Sequence, residues 1–218
     1  MTTQLEMEIV PIFPQPLGVT KFPRRFTKTE AKFFSKNLED ENLRPNTGNR
    51  TSKNNNVLNA PEMKDIRLFI ESALHSFINM YDPPENPNLG IRITQSWLNI
   101  SRVGEYHHPH KHPNSIISGV FYSSAKKSVD SIKFLRPEDI SNFYYPPNKA
   151  TPYNSREWKV SVDTYDLVLF KSTLNHMVNP LENGRPGPEN ENRISLSFNT
   201  YYVGEMGDPH ELTGLILP

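Results

Sequence analysis

At 218 residues the chain suits one domain with a sizeable core, and it lies within the span that all-β barrels and sandwiches occupy as single units. Lys plus Arg (24) balances Asp plus Glu (24), which leaves no global positive field to hold nucleic acid or an anionic membrane. Zero cysteines exclude disulfides, thiolate metal sites and cysteine nucleophiles, so any metal must be held by imidazole, carboxylate or amide groups.

In chain order, the first residues, MTTQLEMEIVPIFPQPLG, lack a basic segment followed by an unbroken apolar run. No later stretch approaches the roughly 18 apolar residues of a membrane span, and a soluble, cytoplasmic protein is expected. Lys21, Arg24 and Arg25 form a local basic group that is read as a solvated face. Thr27-Lys-Thr-Glu30 has capping-box spacing ahead of Ala31, Phe33, Phe34 and Leu38, which predicts a helix over 28–40. The polar stretch from Asn42 to Asn59 is expected to be a loop. Asn59-Ala-Pro-Glu62 then signals a second helix, with Met63, Ile66, Phe69, Ile70, Ala73, Leu74 and Phe77 recurring on one face to about Met80.

After Pro83-Pro84 the texture changes to short β-rich runs separated by Gly, Pro and Asn, the pattern of an antiparallel sandwich or barrel. At least six strands are expected, over 91–102, 114–123, 130–135, 157–162, 165–171 and 193–203. The stretches 136–156 and 180–192 are expected to be long loops at the mouth of such a barrel, where loops often carry function.

Four of the seven histidines fall within six residues, in His107-His108-Pro109-His110-Lys111-His112. On extended backbone, positions two apart share a side, so His110 and His112 can offer two imidazoles to one ion while Lys111 points away. The same alternation puts His108 on their side and His107 on the other, and spacing leaves the pairs His110/His112 and His108/His110 both open. A site with open positions needs a third ligand, and His176, at the end of a strand running from Asp166, is the candidate. His75 and His210 are read as surface or packing residues.

The last long strand alternates strictly: Ile194, Leu196 and Phe198 on one face, Arg193, Ser195, Ser197 and Asn199 on the other. A barrel that holds a charged cosubstrate needs an inward arginine, because a guanidinium matches a carboxylate bidentately and a neighbouring hydroxyl can complete the site.

Taken together, Trp97-Leu-Asn-Ile, Gly104-Glu-Tyr, His110-Lys-His-Pro, Ser118-Gly-Val-Phe-Tyr122 and the stretch 166–199 resemble the iron(II)- and 2-oxoglutarate-dependent dioxygenases, in particular a family of small 2OG-Fe(II) oxygenases. A weaker likeness extends to Ile12-Phe-Pro-Gln-Pro-Leu17. The resemblance implies a mainly β fold with N-terminal helices, in which a double-stranded β-helix, or jelly-roll, core at 91–203 is flanked by two helices from a support region at 1–90 and followed by a tail at 204–218. It implies Fe(II) on His110, His112 and His176, and 2-oxoglutarate anchored by Arg193 and Ser195, with Asn99 and Tyr122 lining the pocket. By that likeness, molecular oxygen and 2-oxoglutarate are consumed, succinate and CO2 are released, and a small-molecule or peptidyl substrate is hydroxylated. Loops 42–59 and 136–156, with Arg136, Tyr144, Tyr145 and Tyr153, are the expected substrate walls, and a homodimer is an open arrangement.

Two features depart from the superfamily's pattern. His112 stands where the first motif ordinarily has Asp or Glu, and Arg193 follows His176 by 17 residues, a longer interval than usual, with Arg185 in the intervening loop as a competing anchor. Two other readings stand beside this one: a cupin-like three-histidine enzyme that does not use 2-oxoglutarate, which explains His112 better but leaves Arg193 idle, and a non-catalytic β-sandwich binding module.

Overall fold

The computed structural model describes residues 6–136, 148–182 and 192–218. Arg185, Tyr144 and Tyr145 lie outside the described residues. Among those described, two helices and twelve strands follow one another as β1 (Leu17–Lys21), α1 (Lys28–Asn37), β2 (Leu43–Asn46), β3 (Asn49–Ser52), α2 (Lys64–Tyr81), β4 (Leu89–Ser101) and β5 (His107–His110), then β6 (Ile117–Ser124), β7 (Ser131–Leu135), β8 (Glu157–Ser161), β9 (Asp166–Lys171), β10 (His176–Val178), β11 (Arg193–Met206) and β12 (Leu215–Leu217).

Helix α1 starts where its sequence signal lies. Thr27 accepts from the Glu30 backbone N–H, and the Glu30 carboxylate accepts from the Thr27 N–H, closing the capping box. Glu30 is buried and takes both guanidinium nitrogens of Arg24, which also reaches Asp65. Lys21 pairs with Asp163 and Asp166, so the basic group at 21–25 is largely neutralised within the fold.

Helix α2 begins later than the Asn59 signal places it. Residues 57–63 form two 3-10 turns, the second starting at Pro61, and Asn59 Oδ1 accepts from Arg67 instead of capping the helix. The core stripe of α2 is the expected one, with Ile66, Ile70, Leu74 and Phe77 buried at intervals of four, four and three.

The expected loop at 42–59 holds a hairpin. Strands β2 and β3 meet through Thr47-Gly48, where Gly48 takes φ +87°, and β3 pairs with β4 at Arg50–Ile100 and Thr51–Asn99. With β1, which the reading of the first residues missed, the opening third supplies three strands to the larger sheet. At the other end β11 continues to Met206, past the expected 203, and β12 folds back to pair with it.

Two antiparallel sheets face each other as a jelly roll. The larger runs β1-β9-β6-β11-β4-β3-β2, with β12 against β11, and the smaller runs β5-β10-β7-β8. Side-chain alternation gives the larger sheet two unlike faces. Leu98, Ile117, Phe121, Leu167, Leu169, Leu196 and Phe198 form one apolar cluster with Ile66, Ile70, Leu74 and Phe77 of α2. The opposite face turns toward the smaller sheet, and Val120, Tyr122, Val168 and Phe170 pack there with Ile132 and Phe134 of β7. The polar alternates of β11 and β4 are also on that inner face, and they make the cleft.

Candidate metal centre

The cleft between the sheets is lined by His107, His110, His112 and His176, by Trp97, Asn99 and Ser101 of β4, by Val120 and Tyr122 of β6, by Arg193, Ser195 and Ser197 of β11, and by Asn49 of the hairpin. The polar face of β11 is therefore an inner wall, and Arg193 and Ser197 are buried.

One ring nitrogen from each of His110, His112 and His176 lies within 4.8 Å of the others. Strand pairing produces the convergence: His110 on β5 sits directly across from His176 on β10. His112 comes from the turn after β5, where its backbone N–H donates to Ser172 O at 3.0 Å.

Each of the three rings spends Nδ1 on an oxygen. His110 Nδ1 donates to the carbonyl of His108 at 2.7 Å and His176 Nδ1 to that of Leu174 at 3.0 Å. His112 Nδ1 lies 2.6 Å from Asn199 Oδ1 and 2.8 Å from Ser118 Oγ. A carbonyl oxygen can only accept, so Nδ1 carries the proton and Nε2 keeps its lone pair. Burial pushes His112 down to about 4 and His176 to about 2, each helped by the neighbouring imidazoles, and burial also lowers His110. All three rings are neutral near pH 7, as ligands must be.

The expected alternation fails at His107 and His108. Between the pairs His176–His110 and Val178–His107, β5 has one residue more than β10, and this bulge includes Pro109, which has no N–H to give the ladder. The extra residue rotates His107 into the cleft, where its ring stacks on His110 with centroids 4.1 Å apart. His108 does not line the cleft; its Nδ1 lies 3.4 Å from Thr47 O at the hairpin tip. His75 and His210 lie outside the cluster.

At the other end of the cleft, Arg193 Nη2 donates to Ser101 Oγ at 3.2 Å, and Nη1 lies 3.6 Å from Asp130 Oδ1. Two polar atoms of residues lining the cleft, Tyr122 Oη and Asn99 Oδ1, are buried with no hydrogen-bond partner among the described residues. Burial raises the Tyr122 phenol well above its ordinary value, so it stays protonated and can donate. Arg136 and Tyr153, expected as substrate walls, are not among the cleft-lining residues: Arg136 pins its own loop through Ser155 O and Pro152 O. Asn49, Trp97 and His107 are lining residues that sequence reasoning missed. Each lay in a segment that carried a signal: His107 in the histidine run, Trp97 at the start of the Trp97-Leu-Asn-Ile motif, and Asn49 in the expected wall at 42–59.

Residues 95–199, which span all of these cleft residues except Asn49, match the family model described as "Putative 2OG-Fe(II) oxygenase". No curated protein sequence matches the chain. Among solved structures, an oxidoreductase of the 2OG-Fe(II) oxygenase family from Burkholderia pseudomallei is similar at 11% identity and TM-score 0.51, with 84% of each chain covered. HygX from Streptomyces hygroscopicus, with nickel, 2-oxoglutarate and hygromycin B bound, is similar at 14% identity and TM-score 0.52, over 84% of this chain and 82% of that one. A Pseudomonas putida prolyl-4-hydroxylase is similar at 13% identity and TM-score 0.53, over 86% of this chain and 94% of that one. At such identities these likenesses bear on the fold, and they agree on the jelly roll. The family match covers residues 95–199 and falls on the strands that build the cleft, and over that stretch the chain is similar to the 2OG-Fe(II) oxygenase family.

Proposed function

We propose that the chain is an iron(II)- and 2-oxoglutarate-dependent dioxygenase, with the metal on Nε2 of His110, His112 and His176. The observation that carries the reading is the common tautomer of the three converging rings: each Nδ1 is tied to an oxygen, and each Nε2 is left for an ion. Neutral nitrogen donors without thiolate suit iron(II), and three protein ligands leave positions open for other groups.

The cosubstrate end fits as well. Arg193 supplies a buried positive fork, Ser195 a nearby hydroxyl, and Tyr122 Oη a buried donor without a partner, all suited to a carboxylate. Half a turn of the Asn99 amide would aim Nδ2 into the cleft and let Oδ1 accept from Ser197 Oγ, which now lies 2.9 Å from Nδ2. When bound, iron and 2-oxoglutarate supply the oxidising chemistry with molecular oxygen, releasing succinate and CO2. The chain's own part is to hold three rings in the ligating tautomer, to fix one carboxylate at Arg193, and to exclude water with the apolar wall of Val120, Ile132 and Val178. A small-molecule or peptidyl substrate would bind in the cleft against Asn49, Trp97 and His107.

The test is anaerobic addition of iron(II) and then 2-oxoglutarate, with a visible charge-transfer band expected from the chelate. Iron binding without the band would overturn the 2-oxoglutarate reading. It would favour a cupin-like three-histidine enzyme, to which the internal counter-charge of Arg193 at Asp130 already lends some weight.

A further inference from the structure

A histidine in place of the usual carboxylate brings a difficulty that a carboxylate lacks: an imidazole ligates only in one of its two neutral tautomers. His110 and His176 are fixed by backbone carbonyls two residues earlier in the chain, which cannot be mutated away. His112 has no such backbone acceptor. Its Nδ1 meets Asn199 Oδ1 at 2.6 Å and Ser118 Oγ at 2.8 Å, both on the larger sheet.

The direction of these hydrogen bonds follows from the network behind them. Ser172 Oγ donates to Ser115 Oγ at 2.7 Å, and Ser115 Oγ to the carbonyl of Ile117 at 3.2 Å. Ser118 Oγ donates its single proton to Asn199 Oδ1 at 2.9 Å and lies 2.8 Å from Ser172 Oγ. It has none left for His112. Both groups beside Nδ1 therefore accept, and the ring must supply the proton. Ser118 and Ser172 are fully buried, which keeps water from offering the alternative.

We propose that Asn199, supported by Ser118, is a positioning residue that holds His112 in the Nδ1–H tautomer and so makes it, and not His108, the third nitrogen donor of the centre. The assignment rests on the metal-centre reading above. His108 lacks any equivalent: its Nδ1 has only a long contact to Thr47 O. Asn199 reaches His112 because β11 keeps its strict alternation from Arg193 through Asn199 and shifts register against β4 only after it.

Imidazole nitrogen-15 spectra of the metal-free protein and titration with cobalt(II) test this. In the parent chain His112 is expected to carry its proton on Nδ1. Asn199→Ala is expected to move a substantial fraction to the Nε2–H form and to weaken cobalt(II) binding by about 10- to 100-fold. Asn199→Asp keeps an acceptor at the same reach and is expected to bind within about threefold of the parent, a rescue that a merely structural role would not give. Asn199→Val, a good strand former without an acceptor, provides the same readout should the alanine variant not fold. An Nε2–H proton on His112 in the parent chain, or unchanged cobalt(II) affinity in the folded Ala or Val variant, would overturn the proposal. A parent chain that binds no cobalt(II) at all would instead overturn the metal-centre reading, and this assignment with it.

Discussion

Arg193 Nη1 lies 3.6 Å from Asp130 Oδ1 with both side chains buried, and Asp130 Oδ2 accepts from the Lys126 backbone N–H at 2.7 Å. The residue proposed to anchor a cosubstrate carboxylate thus also answers a buried carboxylate of the protein. Removing one member of a buried pair leaves the other charge poorly compensated. Arg193→Ala is expected to destabilise the metal-free chain by about 3 kcal/mol, read from urea unfolding, as well as weakening the 2-oxoglutarate complex. Arg193→Lys, which keeps the charge but not the fork, is expected to recover much of the stability and little of the cosubstrate affinity. Equal stability of Arg193→Ala and the parent would mean that the pair contributes nothing to the fold.

The bulge in β5 gives the closely spaced histidines at 107–112 different surroundings. His112→Ala and His176→Ala are each expected to abolish retention of iron(II), measured by metal analysis after gel filtration. His108→Ala is expected to leave it unchanged. His107→Ala, which removes a ring stacked on His110 but no donor atom of the centre, is expected to keep the metal and to alter substrate turnover. Loss of iron from His108→Ala would move the second ligand to that residue.

Acid should unfold the metal-free protein early. The buried imidazoles hold protons less tightly in the folded chain than at their ordinary value of 6.5, with His112 near 4 and His176 near 2. Between those values the unfolded chain binds more protons, so falling pH favours unfolding. Their contribution is fully present above pH 6.5 and is lost as pH drops through the folded values. The expected result is a melting temperature that is flat from pH 8 to about 7 and declines steadily from about pH 6 to 4, with a shallower decline in His176→Gln. An identical slope in that variant would show that other groups govern the acid limb.

Gly119, within the Ser118-Gly-Val-Phe-Tyr122 run, serves packing. A Cβ there would fall 2.1 Å from Cζ and 2.6 Å from Cε1 of Phe198, which lies across the strand on the helix-facing side. Gly119→Ala is expected to cost about 1–3 kcal/mol in urea unfolding while leaving metal affinity intact. Loss of metal with unchanged stability would place the glycine in the site instead.

The parts of this molecule legible in sequence were those with a local period. Strict alternation from Arg193 to Asn199 put the arginine on one polar face of its strand, and the 3.6-residue stripe of α2 located the helix that covers the larger sheet. His110, His112 and His176 were recognisable because an H-x-H and a strand-end histidine are features of single segments. What stayed hidden depended on partners distant in the chain. Nothing local marks Leu17–Lys21 as a strand, since three of its five residues are exposed and none is buried, and it is defined by Asp166–Lys171 beside it. The hairpin at 43–52 looked like a loop because its residues are polar, yet Asn49, Thr51 and Ser52 are buried against β4 and the cleft. The exchange of His107 for His108 came from one unpaired residue opposite β10, which alternation alone does not reveal.

The provenance of the three rings carries a mechanical consequence. His110 and His176 belong to the smaller sheet, whereas His112 is held by Ser118 and Asn199 of the larger one and by Ser172 just past the end of β9. An ion bound to all three is a rivet through the sandwich, joining layers whose inner faces otherwise meet largely through side-chain packing. Slow amide exchange in β5 and β10 should therefore depend on metal occupancy far more than exchange in β6 or β11, and a chain stripped of its ion should breathe first along the seam where oxygen and substrate would enter.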